Sequence, residues 1–128
     1  MKVLNFEDNA IKHYRIRRAL ENCGMSIIDC TNNQEEGLKK LKEAMVAVPY
    51  DLIVTDMNYP LVQGGKSDIH AGFKLIEKLK EENIAIPVII CSTIRYSGND
   101  ILGAVWYNEL RDIEEDFREI LNKKTTLL

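Results

Sequence analysis

Three places in this chain put reactive side chains at the end of an apolar run. Leu52-Ile53-Val54, rich in β-branched residues, leads through Thr55 to Asp56, and Asn58 and Pro60 follow. Lys2 to Phe6 leads to Glu7 and Asp8, and Pro87-Val88-Ile89-Ile90-Cys91 leads to Ser92 and Thr93. Short apolar runs of this kind read as strands buried on both faces, the pattern of a parallel sheet. In open α/β sheets, ligands bind beyond the carboxyl ends of the strands, where the strand order reverses. If these three strands are neighbours, Glu7, Asp8, Asp56 and Ser92 meet at one edge. Carboxylates held that close repel one another unless a cation lies among them. Mg²⁺ suits oxygen ligands and takes one or two carboxylates while keeping several waters. An Asp beside such an ion can attack phosphorus and form an acyl phosphate, while the ion offsets charge on the transferring group. A hydroxyl on Ser92 or Thr93 is then available to the phosphoryl oxygens. The plainer alternative for Asp56 is a turn cap, a common use of Asp.

The elements that must hold these residues alternate along the chain. Asp8 or Asn9 can cap a helix that ends near Cys23, with Gly24 suited to its C-terminal side. Ile11, Tyr14 or Arg15, Arg18 and Ala19-Leu20 carry its helical spacing, and Lys12, Arg15, Arg17 and Arg18 read as a solvated basic face. Ser26 to Cys30 reads as a second strand. Thr31-Asn32-Asn33 offers a cap for a helix over 34–45, with Leu38, Leu41 and Ala44 on one face. A polar, glycine-bearing loop spans Leu61 to His70. A third helix follows over 71–82, with Phe73, Leu75-Ile76 and Leu79 as its buried stripe. A fifth strand is expected over 101–107, and Asp112 then caps a terminal helix through Leu121, with Ile113, Phe117 and Ile120-Leu121 inward. Between Thr93 and Asp100 there is room for a loop or one turn, not for a helix of ordinary length. Alternating βα units with right-handed crossovers give an α/β fold: a five-stranded parallel sheet, doubly wound and flavodoxin-like, with its fourth helix shortened or absent.

Bulk properties narrow the function. At 128 residues the chain has the size of a single domain, 1–128. A net charge of -3 argues against nucleic acid as a partner, because no basic excess is there to neutralise phosphates. Cys23, Cys30 and Cys91 are widely spaced, without a CxxC pair, and read as small apolar residues of a reduced protein. No apolar run nears the ~20 residues of a membrane span, so neither a membrane partner nor a leader is expected, and the cytoplasm is the expected compartment.

Phe6-Glu7-Asp8-Asn9, the run Asp56-Met57-Asn58-Tyr59-Pro60 and Pro87-Val88-Ile89-Ile90-Cys91-Ser92 resemble the CheY-like receiver domains of two-component response regulators, over almost the whole chain. The resemblance implies that Asp56 is the phosphoacceptor. It implies that Asp8 and Asp56 bind Mg²⁺ through oxygen, Glu7 through water, and Asn58 through its backbone carbonyl. Ser92, with Thr93 as the alternative, would be the hydroxyl that senses the phosphoryl group, and Gly72 the glycine ahead of the third helix. It also implies a sensor histidine kinase or phosphotransfer protein as donor and an unidentified downstream protein as target. Such a domain is not an enzyme beyond promoting its own phosphorylation and dephosphorylation.

Three departures qualify the resemblance. The family's fifth strand ends in a lysine that pairs with the acid and the phosphoryl group. Here that place reads Trp106-Tyr107-Asn108-Glu109, and Asn108 offers only a neutral donor, roughly half as strong as a charged one. Residues Gln63 to His70 look like an insertion, whose Lys66 is expected to be an ordinary solvated loop lysine rather than a replacement cation. The reduced fourth helix alters the face through which such domains signal. The missing lysine favours a second reading, a pseudo-receiver that binds its partner regardless of phosphorylation. The complete acidic set argues for the first.

Overall fold

The computed structural model describes residues 1–127, with side chains for residues 1–123. Five strands form one parallel sheet: β1 (Lys2–Phe6), β2 (Ile27–Thr31), β3 (Leu52–Thr55), then, beyond a small hairpin of β4 (Tyr59–Pro60) and β5 (Ser67–Asp68), β6 (Val88–Ser92) and β7 (Gly103–Trp106). The sheet order is β2-β1-β3-β6-β7, the doubly wound arrangement in which the order reverses beside the first strand. The helices are α1 (Ala10–Asn22), α2 (Gln34–Met45), α3 (Ala71–Glu81) and α4 (Ile113–Leu127). No helix bridges β6 and β7 among the described residues: 93–102 form bends and a turn, as the short spacing predicts.

Alternation along the strands splits the core in two. Leu4, Phe6, Ile53 and Ile90 pack toward Leu41 of α2 and Leu75 and Leu79 of α3. Val3, Leu52, Val54, Ile89, Cys91 and Val105 pack toward Ile16 and Leu20 of α1 and Phe117 of α4. All four residues of β3 are fully buried, which is why its sequence is an unbroken apolar run. The strands fix the rim by register: Phe6 lies opposite Thr55 and Thr55 opposite Ile90, so the residues just beyond β1, β3 and β6 emerge side by side.

Three sequence expectations need correction. The inward face of α1 carries Lys12, Ile16, Ala19 and Leu20, whereas Ile11 and Tyr14 point to solvent; the apolar stripe is displaced by one residue, and Lys12 does not belong to the solvated basic face. Phe73 is outside the α3 stripe, half-exposed and edge-on to Tyr96 at 5.6 Å between centroids. The inserted segment is not wholly a loop. Its ends pair antiparallel, Tyr59 with Asp68 and Pro60 with Ser67. Tyr59, fully buried, anchors the hairpin by accepting a hydrogen bond from the Thr55 hydroxyl at 3.1 Å.

Candidate functional site

Glu7, Asp8 and Asp56 do converge. One carboxylate oxygen from each lies within 4.8 Å of the others, and Glu7 is buried, Asp8 exposed and Asp56 between the two. Backbone bonds set this geometry: the Glu7 N–H donates to the Thr31 carbonyl at 2.9 Å and the Asp56 N–H to the Phe6 carbonyl at 3.0 Å. On the far side, Gly72 lets α3 start hard against the acid. A Cβ there would meet the Asp56 carbonyl oxygen at 2.8 Å and the Met57 sulfur at 3.0 Å.

The cleft over these acids, about 310 Å³, is also lined by Lys12, Asn58, Ser67, Thr93 and Tyr107. Asn58 and Thr93 thus line the cleft together with the acids. Ser92 is buried, its Oγ accepting from the Ile94 N–H at 3.3 Å, whereas Thr93 is among the residues that line the cleft. Asn108 does not join the site. Its Oδ1 accepts from the Leu110 N–H at 2.9 Å, closing a local turn, and it lines a separate groove between α1 and α4. Lys66 is exposed and does not line the cleft, in keeping with an ordinary loop lysine.

A cation from α1, Lys12, faces these acids. Its Nζ lies 2.9 Å from Glu7 Oε1 and 3.2 Å from Asp56 Oδ1, donates to the Cys91 carbonyl at 2.7 Å and sits 5.3 Å from the centroid of the Tyr107 ring. One of its donors is used by the Cys91 carbonyl, and the two carboxylate oxygens lie at ion-pair distance. The cap explains how Lys12 arrives there. Asn9 caps α1 by accepting from the Lys12 N–H at 2.9 Å, which makes Lys12 the third residue of the first turn. A cation at that end of a helix opposes the helix dipole, so the carboxylates, not the helix, hold it there.

Electrostatics follow from one ammonium shared by two acids. Burial alone would push Lys12 down, but Glu7 and then Asp56 pull harder, leaving its pKa above the ordinary lysine value. Glu7 is raised above the usual glutamate range, chiefly by burial; Lys12 opposes that rise and Asp56 adds to it. Cys91 is pushed up to about 12 by burial, so it offers the site a carbonyl oxygen, not a thiolate. Asp56 Oδ1 also accepts from the Met57 N–H at 2.7 Å. Oδ1 is therefore engaged twice, and Oδ2 is the oxygen left for chemistry.

The donor set fits Mg²⁺: three carboxylates against one ammonium leave two negative charges, all on oxygen, in an open cleft. Lys12 escaped sequence reading because a lysine between apolar positions scores as surface. Its signal was spacing, four residues ahead of Ile16 on the inward stripe.

No family model matches the sequence, and no curated protein matches it. Solved structures do match the fold. Response regulator TrrA of Thermotoga maritima, in complex with Mg²⁺ and BeF, is similar at 21% identity over 100% of both chains, with a TM-score of 0.67. A receiver domain protein of Clostridium thermocellum is similar at 18% identity over 99% of this chain and 98% of its own, TM-score 0.65. A chemotaxis response regulator of Vibrio cholerae is similar at 16% identity over 99% and 98%, TM-score 0.64. The chain has the CheY-like receiver fold, with the helix between its fourth and fifth sheet strands absent among the described residues.

Proposed function

We propose that this chain is a phosphoacceptor receiver that takes a phosphoryl group on Asp56 from the phosphohistidine of a sensor histidine kinase or phosphotransfer protein. The observation that carries this reading is the meeting of Glu7, Asp8 and Asp56 within 4.8 Å at the carboxyl edge of a parallel sheet. Asp56 Oδ2 attacks phosphorus; the new O–P bond forms as the donor's N–P bond breaks, and the electron pair returns to the imidazole nitrogen. Asp8, Asp56 and the Asn58 carbonyl would hold Mg²⁺, with Glu7 acting through water, and the ion would supply charge neutralisation to the transferring group. Thr93, which lines the cleft, would donate its hydroxyl to a phosphoryl oxygen. The likeness to TrrA, whose structure holds Mg²⁺ and BeF, supports the same ligand chemistry here. Beyond promoting its own phosphorylation and hydrolysis, the protein is not an enzyme, and it signals to a downstream protein from the cytoplasm. No helix among the described residues is long and apolar enough to cross a membrane, and all three cysteines are free.

The test is intact mass and tryptophan fluorescence after incubation with Mg²⁺ and acetyl phosphate or beryllofluoride. A single phosphoryl adduct that disappears in Asp56→Ala is expected. An adduct that survives that substitution sinks the assignment. A second reading, the phosphorylation-independent pseudo-receiver, draws on one observation: Lys12 already bridges Glu7 and Asp56. No adduct and no spectral change, with or without Mg²⁺, would favour it.

A further inference from the structure

We propose that Lys12 is the resident counter-ion of the carboxylate cluster: it weakens the cluster's hold on a divalent cation and is the positive charge against which an anion joined to Asp56 is held. The second half rests on the phosphoacceptor reading; the first does not.

Side-chain exposure is 7% for Lys12, 1% for Glu7 and 15% for Asp56, so water screens these charges little and their interaction is strong. The ammonium donates to the Cys91 carbonyl and is ion-paired with both Glu7 Oε1 and Asp56 Oδ1. The Tyr107 ring closes a fourth side. Such a lysine cannot swing out to solvent without leaving a buried carboxylate behind, which is costly. Asn9, whose side chain caps the same turn, fixes the backbone that carries it.

Two consequences follow for ligands. A divalent ion arriving at Asp8 and Asp56 meets a cluster whose charge is already reduced by one, and a like charge a few ångströms away. Removing the ammonium while keeping side-chain volume should therefore strengthen metal binding. An anion bonded to Asp56 Oδ2 experiences the opposite. It lies on the same carboxyl group whose Oδ1 faces Lys12, so the ammonium attracts it. The lysine absent from the end of β7 is thereby replaced from helix α1, a different element on the same rim. Tyr107 occupies the end of β7 and packs its ring against the incoming ammonium. Asn108, turned into its own bend, has no part in this arrangement.

Trp106 gives a readout that does not depend on turnover. Its indole N–H donates to the Thr93 carbonyl at 2.8 Å, and Thr93 lines the cleft. The experiment titrates Mg²⁺ alone, by calorimetry and tryptophan fluorescence, into the wild-type chain, Lys12→Met and Lys12→Arg. It then titrates beryllofluoride at saturating Mg²⁺. Lys12→Met is expected to bind Mg²⁺ roughly tenfold tighter or more and beryllofluoride roughly tenfold weaker, with Lys12→Arg close to wild type in both. Unchanged Mg²⁺ affinity in a folded Lys12→Met overturns the proposal. Tighter metal with unchanged beryllofluoride overturns its second half. If the wild type takes no beryllofluoride at all, the phosphoacceptor reading falls while the Mg²⁺ comparison still decides the counter-ion role. Should Lys12→Met fold only when Mg²⁺ is added, the metal has replaced the ammonium, which supports the proposal. Should it fail to fold even with Mg²⁺, Glu7→Gln/Lys12→Met is compared with Glu7→Gln, and the same change in Mg²⁺ affinity is required.

Discussion

The two halves of the carboxyl-end rim differ. Over β1 and β3, Glu7, Asp8 and Asp56 meet on strands that are almost wholly buried and paired on both sides. Over β6 and β7, the strand-borne cation is missing, Asn108 turns into a local bend, and no helix lies between the strands among the described residues. β7 is the edge strand and three of its four residues are partly exposed. The interior half is held by packing that any change would disturb, whereas the edge half has few neighbours to constrain it. The ammonium that faces the acids comes from α1, on the well-packed side, and not from the sheet edge.

Breaking the interior half should have the largest effect. Lys12→Ala leaves Glu7 buried and uncompensated, and removal of one partner of a buried pair typically costs about 3–5 kcal/mol. Denaturant melts in chelator should register that loss, and adding Glu7→Gln should restore a large part of it. If the single variant loses less than the double, Lys12 is not holding the cluster together.

Gly72→Ala tests how closely α3 abuts the acid. The new methyl would collide with the Asp56 carbonyl at 2.8 Å, and overpacking of this order costs about 1–3 kcal/mol. The expected result is a lower melting temperature together with weaker Mg²⁺ binding. Melting and binding both unchanged would mean that the rim tolerates movement of α3.

His13 gives a smaller effect with a definite sign. Its ring shares a 2.8 Å hydrogen bond with Asn5, and its pKa is lowered from the ordinary 6.5, first by burial and then by Arg17. A base depressed in the folded state is protonated first in the unfolded one. Stability is therefore full above the unfolded pKa and declines as pH falls through 6.5 toward the folded value. Thermal melts from pH 7.5 to 5.5 should show this decline, and His13→Gln should flatten it.

The smallest effect belongs to the edge. Asn108→Ala loses one exposed turn hydrogen bond, so stability should stay within about 0.5 kcal/mol and beryllofluoride affinity should not change. A tenfold loss of that affinity would put Asn108 back in the site and undo the contrast between the two halves.

Much of this was legible in the chain. The runs ending at Phe6, Thr55 and Ser92 announce buried parallel strands because both faces must be apolar, and the acids announce themselves by following those runs. The short span between Ser92 and Gly103 announces the lost helix, since ten residues of α-helix do not fit. Other features were not legible. The β4–β5 hairpin has two residues per strand, too few for any periodic signal, yet it brings Ser67 to the cleft. Ser92 and Thr93 are adjacent hydroxyl residues, and only the bend after β6 decides which of them lines the cleft.

By itself, the sequence determined that strands and helices alternate and that three acids follow apolar strands, because hydrophobic periodicity is a local property written residue by residue. Only the tertiary structure decided which cation faces those acids. Spacing sets Lys12 four residues ahead of Ile16, on the inward stripe of α1, but spacing alone does not say what that stripe faces. Lys12 faces the acids because α1 docks with residue 12 over the ends of β1, β3 and β6, where two carboxylates and a carbonyl from distant parts of the chain make burial of an ammonium favourable.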